Sequence, residues 1–187
     1  MSLIIAAVLL VGVFVSAAAL LVGVPLFVGL IARDVMESRK GAVPPSKDTR
    51  LRIAAERGVA RAFVIAGGAF WSAAIFAGVT SFKQTGVGNA LLAALYPLVA
   101  CAVTLIIGWY FERVTAALLT IASFAVVAYG VIYNFEFGVW AIMTFVLIGP
   151  MLTAGVLFWL ARRDQEALDL ALTLHPELAL AFASEAR

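Results

Sequence analysis

The chain has 187 residues, of which 64% are hydrophobic and 13% charged, with a net charge of +2. Soluble domains carry roughly 25% charged and about 45–50% apolar residues, so this composition excludes an ordinary water-soluble globular fold. The small net charge says little; the placement of the charges along the chain says more.

Five apolar runs lie between Met1 and Leu160, and none contains Asp, Glu, Lys, Arg or His. They place membrane spans near residues 3–31, 62–82, 88–110, 114–133 and 138–161. Each reaches the ~20 residues needed to cross ~30 Å of hydrocarbon as a helix. The fold class expected is all-α, a polytopic helical bundle with five transmembrane helices.

The first run lacks a basic leader and exceeds the ~7–15 residues of a signal-peptide core, so it reads as a retained span. Pro25 predicts a kink in it, because proline removes a backbone donor and crowds the preceding turn. Its small residues Gly12, Ser16, Ala19 and Gly23 recur four apart. Gly68, Ser72, Ala74 and Gly78 make similar pairs in the second span. Lipid tails are as apolar as leucine, so helices meet in the bilayer where small side chains let backbones approach. These eight positions are the candidate helix-packing residues.

Residues 32–61 form a basic loop with eight Lys/Arg and four acids. Ala42-Val43-Pro44-Pro45-Ser46 breaks it, and Asp48 is expected to cap a basic helix that leads into the second span. Membrane lipid is the expected partner of this cluster. Nucleic acid is not, because the aromatic and motif context for it is missing.

Trp71 and Tyr96 sit near mid-span rather than at an interface, and are candidate lipid or ligand contacts. The third span also holds Pro97 and the single cysteine, Cys101, which reads as a small packing residue. Only Phe111, Glu112 and Arg113 separate the third and fourth runs. One continuous helix over 88–133 would be about 69 Å long, far more than a bilayer core, so a tight hairpin is expected, with Gly108 easing the turn. Asn134-Phe135-Glu136-Phe137-Gly138 carries turn chemistry before the last span. Gly149-Pro150 breaks that span near its centre.

The tail from residue 162 alternates leucines: Leu168, Leu170, Leu172 and Leu174, then Leu178, Leu180 and Phe182 beyond Pro176. Alternation by two suggests a strand, yet Ala, Leu and Glu dominate, so helix is the reading, in two pieces divided near His175-Pro176. These seven residues are the candidate partner-binding tail.

With five spans, twelve of the thirteen Lys/Arg fall on one side and only Lys83 on the other. The positive-inside rule then puts the N-terminus outside and the C-terminus in the cytoplasm. A prokaryotic plasma (inner) membrane is the expected location.

No phosphate-binding loop, zinc-protease motif, nucleophile elbow or paired intramembrane carboxylate is present. The spans have no histidine for a haem, and His175 has no second ligand nearby. No catalytic residue, metal site or cofactor is assigned. The expected function is a non-catalytic membrane subunit that packs with other subunits or with itself. A small oligomeric transporter or channel is the alternative, resting on the Pro/Gly breaks and on hydroxyls at Thr115, Thr120, Ser123, Thr144 and Thr153. An intramembrane lipid enzyme working through Glu112, Arg113 or the basic loop is the least supported.

Overall fold

The computed structural model describes residues 24–33, 47–82 and 87–174, with Ala7, Leu10, Val11, Phe14, Ala18, Leu21, Val35 and Met36 besides. Among the described residues the fold is all-helical, without strands. A short helix α1 covers Val24–Arg33. It is followed by α2 (Lys47–Phe82), α3 (Val87–Tyr110) and α4 (Glu112–Ile132). The last run forms α5 (Phe137–Met143), a π-helical turn (Thr144–Ile148) and α6 (Gly149–Leu174).

Four helical segments are long and apolar enough to cross a membrane: Thr49–Val79, Val87–Tyr110, Glu112–Ile132 and Phe137–Leu174. Each packs against two others. α2 touches α3 and α6, and α4 touches α6 and α3, which closes a ring. The 36 residues of α2 give a helix about 54 Å long at ~1.5 Å per residue. Phe137–Leu174, at 38 residues, is similar. Both are far longer than α3 and α4, and they overhang at the same end, where Ile53 packs with Ala161 and Leu168.

The core lies where α2, α4 and α6 meet. Phe63, Leu119, Leu157 and Phe158 are buried together, with Phe27 and Leu30 of α1 packed against them. Small residues set the spacing of the ring, as expected for packing in lipid. A Cβ on Gly155 would come within 3.1 Å of Thr120 Oγ1 and 3.3 Å of the Ala116 carbonyl, so α6 needs glycine to lie on α4. A Cβ on Gly68 would meet the Cys101 Cβ at 2.8 Å, where α2 crosses α3. The Cys101 thiol also donates to the Val64 carbonyl at 3.4 Å.

The two turns use different devices. Phe111 alone links α3 to α4, with φ −132° and ψ 67°. Gly108, expected to ease this turn, instead lies within α3. There it lets Phe158 and Thr115 approach, a Cβ falling 3.2 Å from the Phe158 ring. After α4, Asn134 adopts a positive φ of 47°. Its N–H donates to the Val131 carbonyl and the Phe135 N–H to the Gly130 carbonyl. That is a Schellman cap with asparagine in the left-handed position. Phe135 and Trp140 close over Gly130, whose Cβ would lie 2.9 Å from the Trp140 ring.

The Gly149-Pro150 break appears as the π turn. Proline has no N–H to continue the ladder, and the Gly149 N–H reaches back five residues to the Thr144 carbonyl. A side chain at 149 would lie 2.8 Å from that same carbonyl. The missing proline donor is thus absorbed as one wide turn, after which α-helical bonding resumes in α6.

Candidate functional site

Two features stand out: a collar of charge around one end of the bundle, and an apolar cavity within it. The collar draws on segments remote in sequence. Arg57 of α2 grips Glu112, the first residue of α4, with both ends of its guanidinium. Nε donates to Oε1, and Nη2 donates to Oε2 at 3.1 Å. Such two-point pairing fixes direction as well as distance. Glu112 also sits at a helix N-terminus, where the backbone dipole favours negative charge. Arg52 bridges α2 to Asp164 of α6 and lies 3.7 Å from Glu56. Arg113, at the hairpin tip, and Arg162 both hold Glu166. Glu56, Glu112 and Asp164 are buried.

The collar therefore ties α2, the α3–α4 hairpin and α6 to one level. Carboxylates are removed from water only where guanidinium groups meet them, as buried charge requires. Aromatic rings accompany it. The Arg61 guanidinium lies 4.5 Å over the Trp109 ring and that of Arg163 lies 5.6 Å from the Trp159 ring. At the opposite end Tyr129, Tyr133, Phe135 and Trp140 form an uncharged aromatic cluster.

Inside the ring is a cavity of about 500 Å³ lined by α2, α3, α4, the π turn and α6. Its wall runs from Phe63 to Ile75 along α2, about 18 Å at ~1.5 Å per residue. No charged side chain lines it, and Thr104, Thr115 and the Trp71 indole supply its polar groups. The Trp71 N–H and the Thr115 hydroxyl are buried without a hydrogen-bond partner. Ala100 and Leu118 on its rim are exposed, so the cavity opens sideways between α3 and α4.

The sequence candidates fall in different places. Trp71 lines the cavity, whereas Tyr96 points away from the bundle and is 78% exposed. Gly68 meets α3. Ser72 is buried one turn later, donating to the Gly68 carbonyl at 2.8 Å. Ala74 is half-buried, and a Cβ on Gly78 would meet nothing within 4 Å. Gly12, Ser16, Ala19 and Gly23 lie outside the described residues, as do Leu178, Leu180 and Phe182. Of the five hydroxyls weighed for a polar pathway, only Thr115 lines the cavity. Thr120 and Ser123 donate to carbonyls four residues back in their own helix.

The tail leucines separate by face. The helix of the last span continues without a break through residue 174. Alternate residues on a helix lie nearly opposite each other, so spacing by two divides into two i, i+4 pairs. Leu168 is 4% exposed and packs with Ile53, and Leu172 joins it. Leu170 and Leu174 face away, 61% and 67% exposed.

The sequence reading missed Gly155 as a close-approach residue and missed every ion pair of the collar. Acids close to a predicted span end, at Glu56, Glu112 and Asp164, were the available signal. Glu112 and Asp164 pair with arginines 55 and 112 residues away, which no local pattern reveals, whereas Arg52–Glu56 and Arg162–Glu166 are four apart and were open to a spacing argument.

No protein-family model, curated protein or solved structure matches this chain.

Proposed function

We propose that the protein is a non-catalytic integral membrane subunit that packs with other membrane subunits, in a prokaryotic plasma membrane. The observation that carries this reading is where Leu170 and Leu174 lie. They are four and eight residues beyond Glu166, the last residue of the collar, or about 6 and 12 Å past it at ~1.5 Å per residue. A leucine facing lipid needs no partner, but one held past the headgroups in water does. Leu51, on the overhanging part of α2, is also exposed.

The topology proposed has five spans, with the N-terminus outside and the collar cytoplasmic. Its support is the excess of basic residues at the collar end and the course of the first segment. Ala7 and Val11 line a groove with Phe76 and Leu91, while Phe27 and Leu30 pack by Ala60 and Phe63. The described residues of the first segment thus meet α2 in reverse order between Ala60 and Phe76.

Purification from native membranes in mild detergent tests the subunit reading. A co-purifying membrane protein, lost in the Leu170→Asp/Leu174→Asp variant, is the expected result. A lone monodisperse chain contradicts it. A second reading, a small oligomeric transporter or channel, is favoured by the cavity and the π turn beside it. Ala122 also lines the cavity; tracer flux in proteoliposomes that rises with the protein and falls when Ala122 is enlarged to Phe supports this second reading, and absence of flux for every solute tried removes it.

A further inference from the structure

We infer that the collar holds a specific site for the phosphate headgroup of an anionic phospholipid. A pocket of about 730 Å³ opens beside the hairpin tip, where Arg57, Arg61, Arg113 and Arg162 converge with Trp109 and Tyr110. Every helix of the ring contributes to its wall.

The charges in this pocket do not cancel. Arg57 is matched by Glu112, and Arg113 and Arg162 share the single carboxylate of Glu166. Among the described residues Arg61 has no carboxylate partner; its guanidinium is stacked on Trp109 and its buried Nε has no hydrogen-bond partner. Among the described residues four guanidinium groups thus face two carboxylates, leaving two positive charges in one concavity. An unpaired guanidinium held against an indole keeps its edge N–H groups for an incoming acceptor, and phosphate oxygens suit that planar fork.

The pocket's position selects lipid over a free anion. Trp109 and Tyr110 are exposed at the end of α3, where amphipathic rings settle at headgroup level. Basic pockets between helices at this level bind anionic headgroups. The phosphate would sit on Arg61 and Arg113, with the acyl chains running down the exposed apolar face of α3, past Ile106 and Val103. This site is independent of the subunit reading, since it needs only a bilayer around the ring.

The test uses the full chain in a neutral detergent, with dioleoylphosphatidylglycerol, dioleoylphosphatidylcholine or inorganic phosphate added in turn. Native mass spectrometry counts retained lipid and thermal melting reports protection. Phosphatidylglycerol is expected to bind saturably and raise the melting temperature, and phosphatidylcholine is expected to do neither. Attraction near the membrane surface is worth about 1 kcal/mol per basic residue, or about fivefold in affinity. Arg61→Gln is therefore expected to weaken phosphatidylglycerol about fivefold, and Arg61→Gln/Arg113→Gln by about 25-fold or more. Arg50→Gln removes the same charge about three turns from Arg61 and is expected to change affinity little. Because Arg61 is only partly buried and Arg113 is exposed, circular dichroism and monodispersity of the variants are expected to match wild type. Equal binding of phosphatidylcholine, or equal losses in Arg50→Gln and Arg61→Gln, overturns a specific site. Equal protection by inorganic phosphate alone overturns the lipid assignment. Unfolded Arg61→Gln protein shifts the reading to the wild-type comparison of the two lipids, whose equality is again decisive against the site.

Discussion

The carboxylate of Glu112 is buried where the α3–α4 hairpin meets α2, and Arg57 is the group that makes this tolerable. The two partners are not equivalent. Arg57 is partly exposed and can rehydrate if left alone, whereas Glu112 cannot. Breaking a buried pair by removing one partner costs about 3–5 kcal/mol, while replacing both by apolar residues is often neutral. Arg57→Ala is therefore expected to destabilise the bundle by about 3 kcal/mol, more than Glu112→Ala does. The double change to methionine is expected to recover most of the loss. Reversible unfolding in mixed micelles gives the comparison, and equal losses for the two single changes would refute the asymmetry. Glycines divide in the same way. Gly155→Ala forces α6 away from Thr120 and Ala116, and overpacking of this kind costs about 1–3 kcal/mol. Gly78→Ala meets open space and is expected to be neutral or mildly stabilising, because alanine loses less backbone entropy in a helix. The sequence marked Gly78 and passed over Gly155. Small-residue spacing identifies glycines that can approach another helix, but which of them faces one depends on helix rotation, a tertiary property.

At the scale of elements, the π turn is the most constrained piece of backbone. It needs proline at 150 to interrupt the ladder and glycine at 149 to let the Thr144 carbonyl approach. Gly149→Ala is expected to lower stability by more than Gly78→Ala does, and to change amide exchange locally over 144–151. Uniform exchange changes along α6 would argue against a local cause. Four of the expected spans were legible in the sequence because hydropathy over ~20 residues is a local property. The turn over 134–138 was legible for the same reason, though its form, a Schellman cap with Asn134 in the left-handed region, was not. The tail was half legible. Its composition gave helix against the strand-like alternation, but the division into a covered face (Leu168, Leu172) and an outward face (Leu170, Leu174) needed the position of Ile53. The hairpin tip, too, was placed correctly, while Gly108 was given the wrong task. A glycine one turn before a helix end has no way to signal that Phe158, 50 residues later, will lie against it.

For the whole molecule, the arrangement is polar in the sense of having two unlike ends. Among the described residues, one end carries the collar of arginines and carboxylates, and the other carries a cluster of aromatic rings with Glu136 as its one charge. Between them the ring is apolar outside and around its cavity. This asymmetry ties the fold to a membrane: one end is anchored by charge, the other by aromatic rings at the opposite interface. The α2–α6 overhang beyond the collar has its own small core of Ile53, Ala161 and Leu168. Leu168→Asp is expected to loosen the overhang and expose it to proteolysis. Leu170→Asp is expected to leave proteolysis of the isolated chain unchanged.

Accessibility labelling of single cysteines tests the membrane placement most directly. With Cys101→Ala as background, Leu51→Cys, Leu170→Cys and Glu136→Cys are probed by a membrane-impermeant maleimide in oriented vesicles. Positions 51 and 170 are expected to react from the cytoplasmic face and position 136 from the opposite face. Reaction of 51 and 170 from opposite faces, or of all three from one face, would contradict a ring that spans the bilayer with its collar in the cytoplasm.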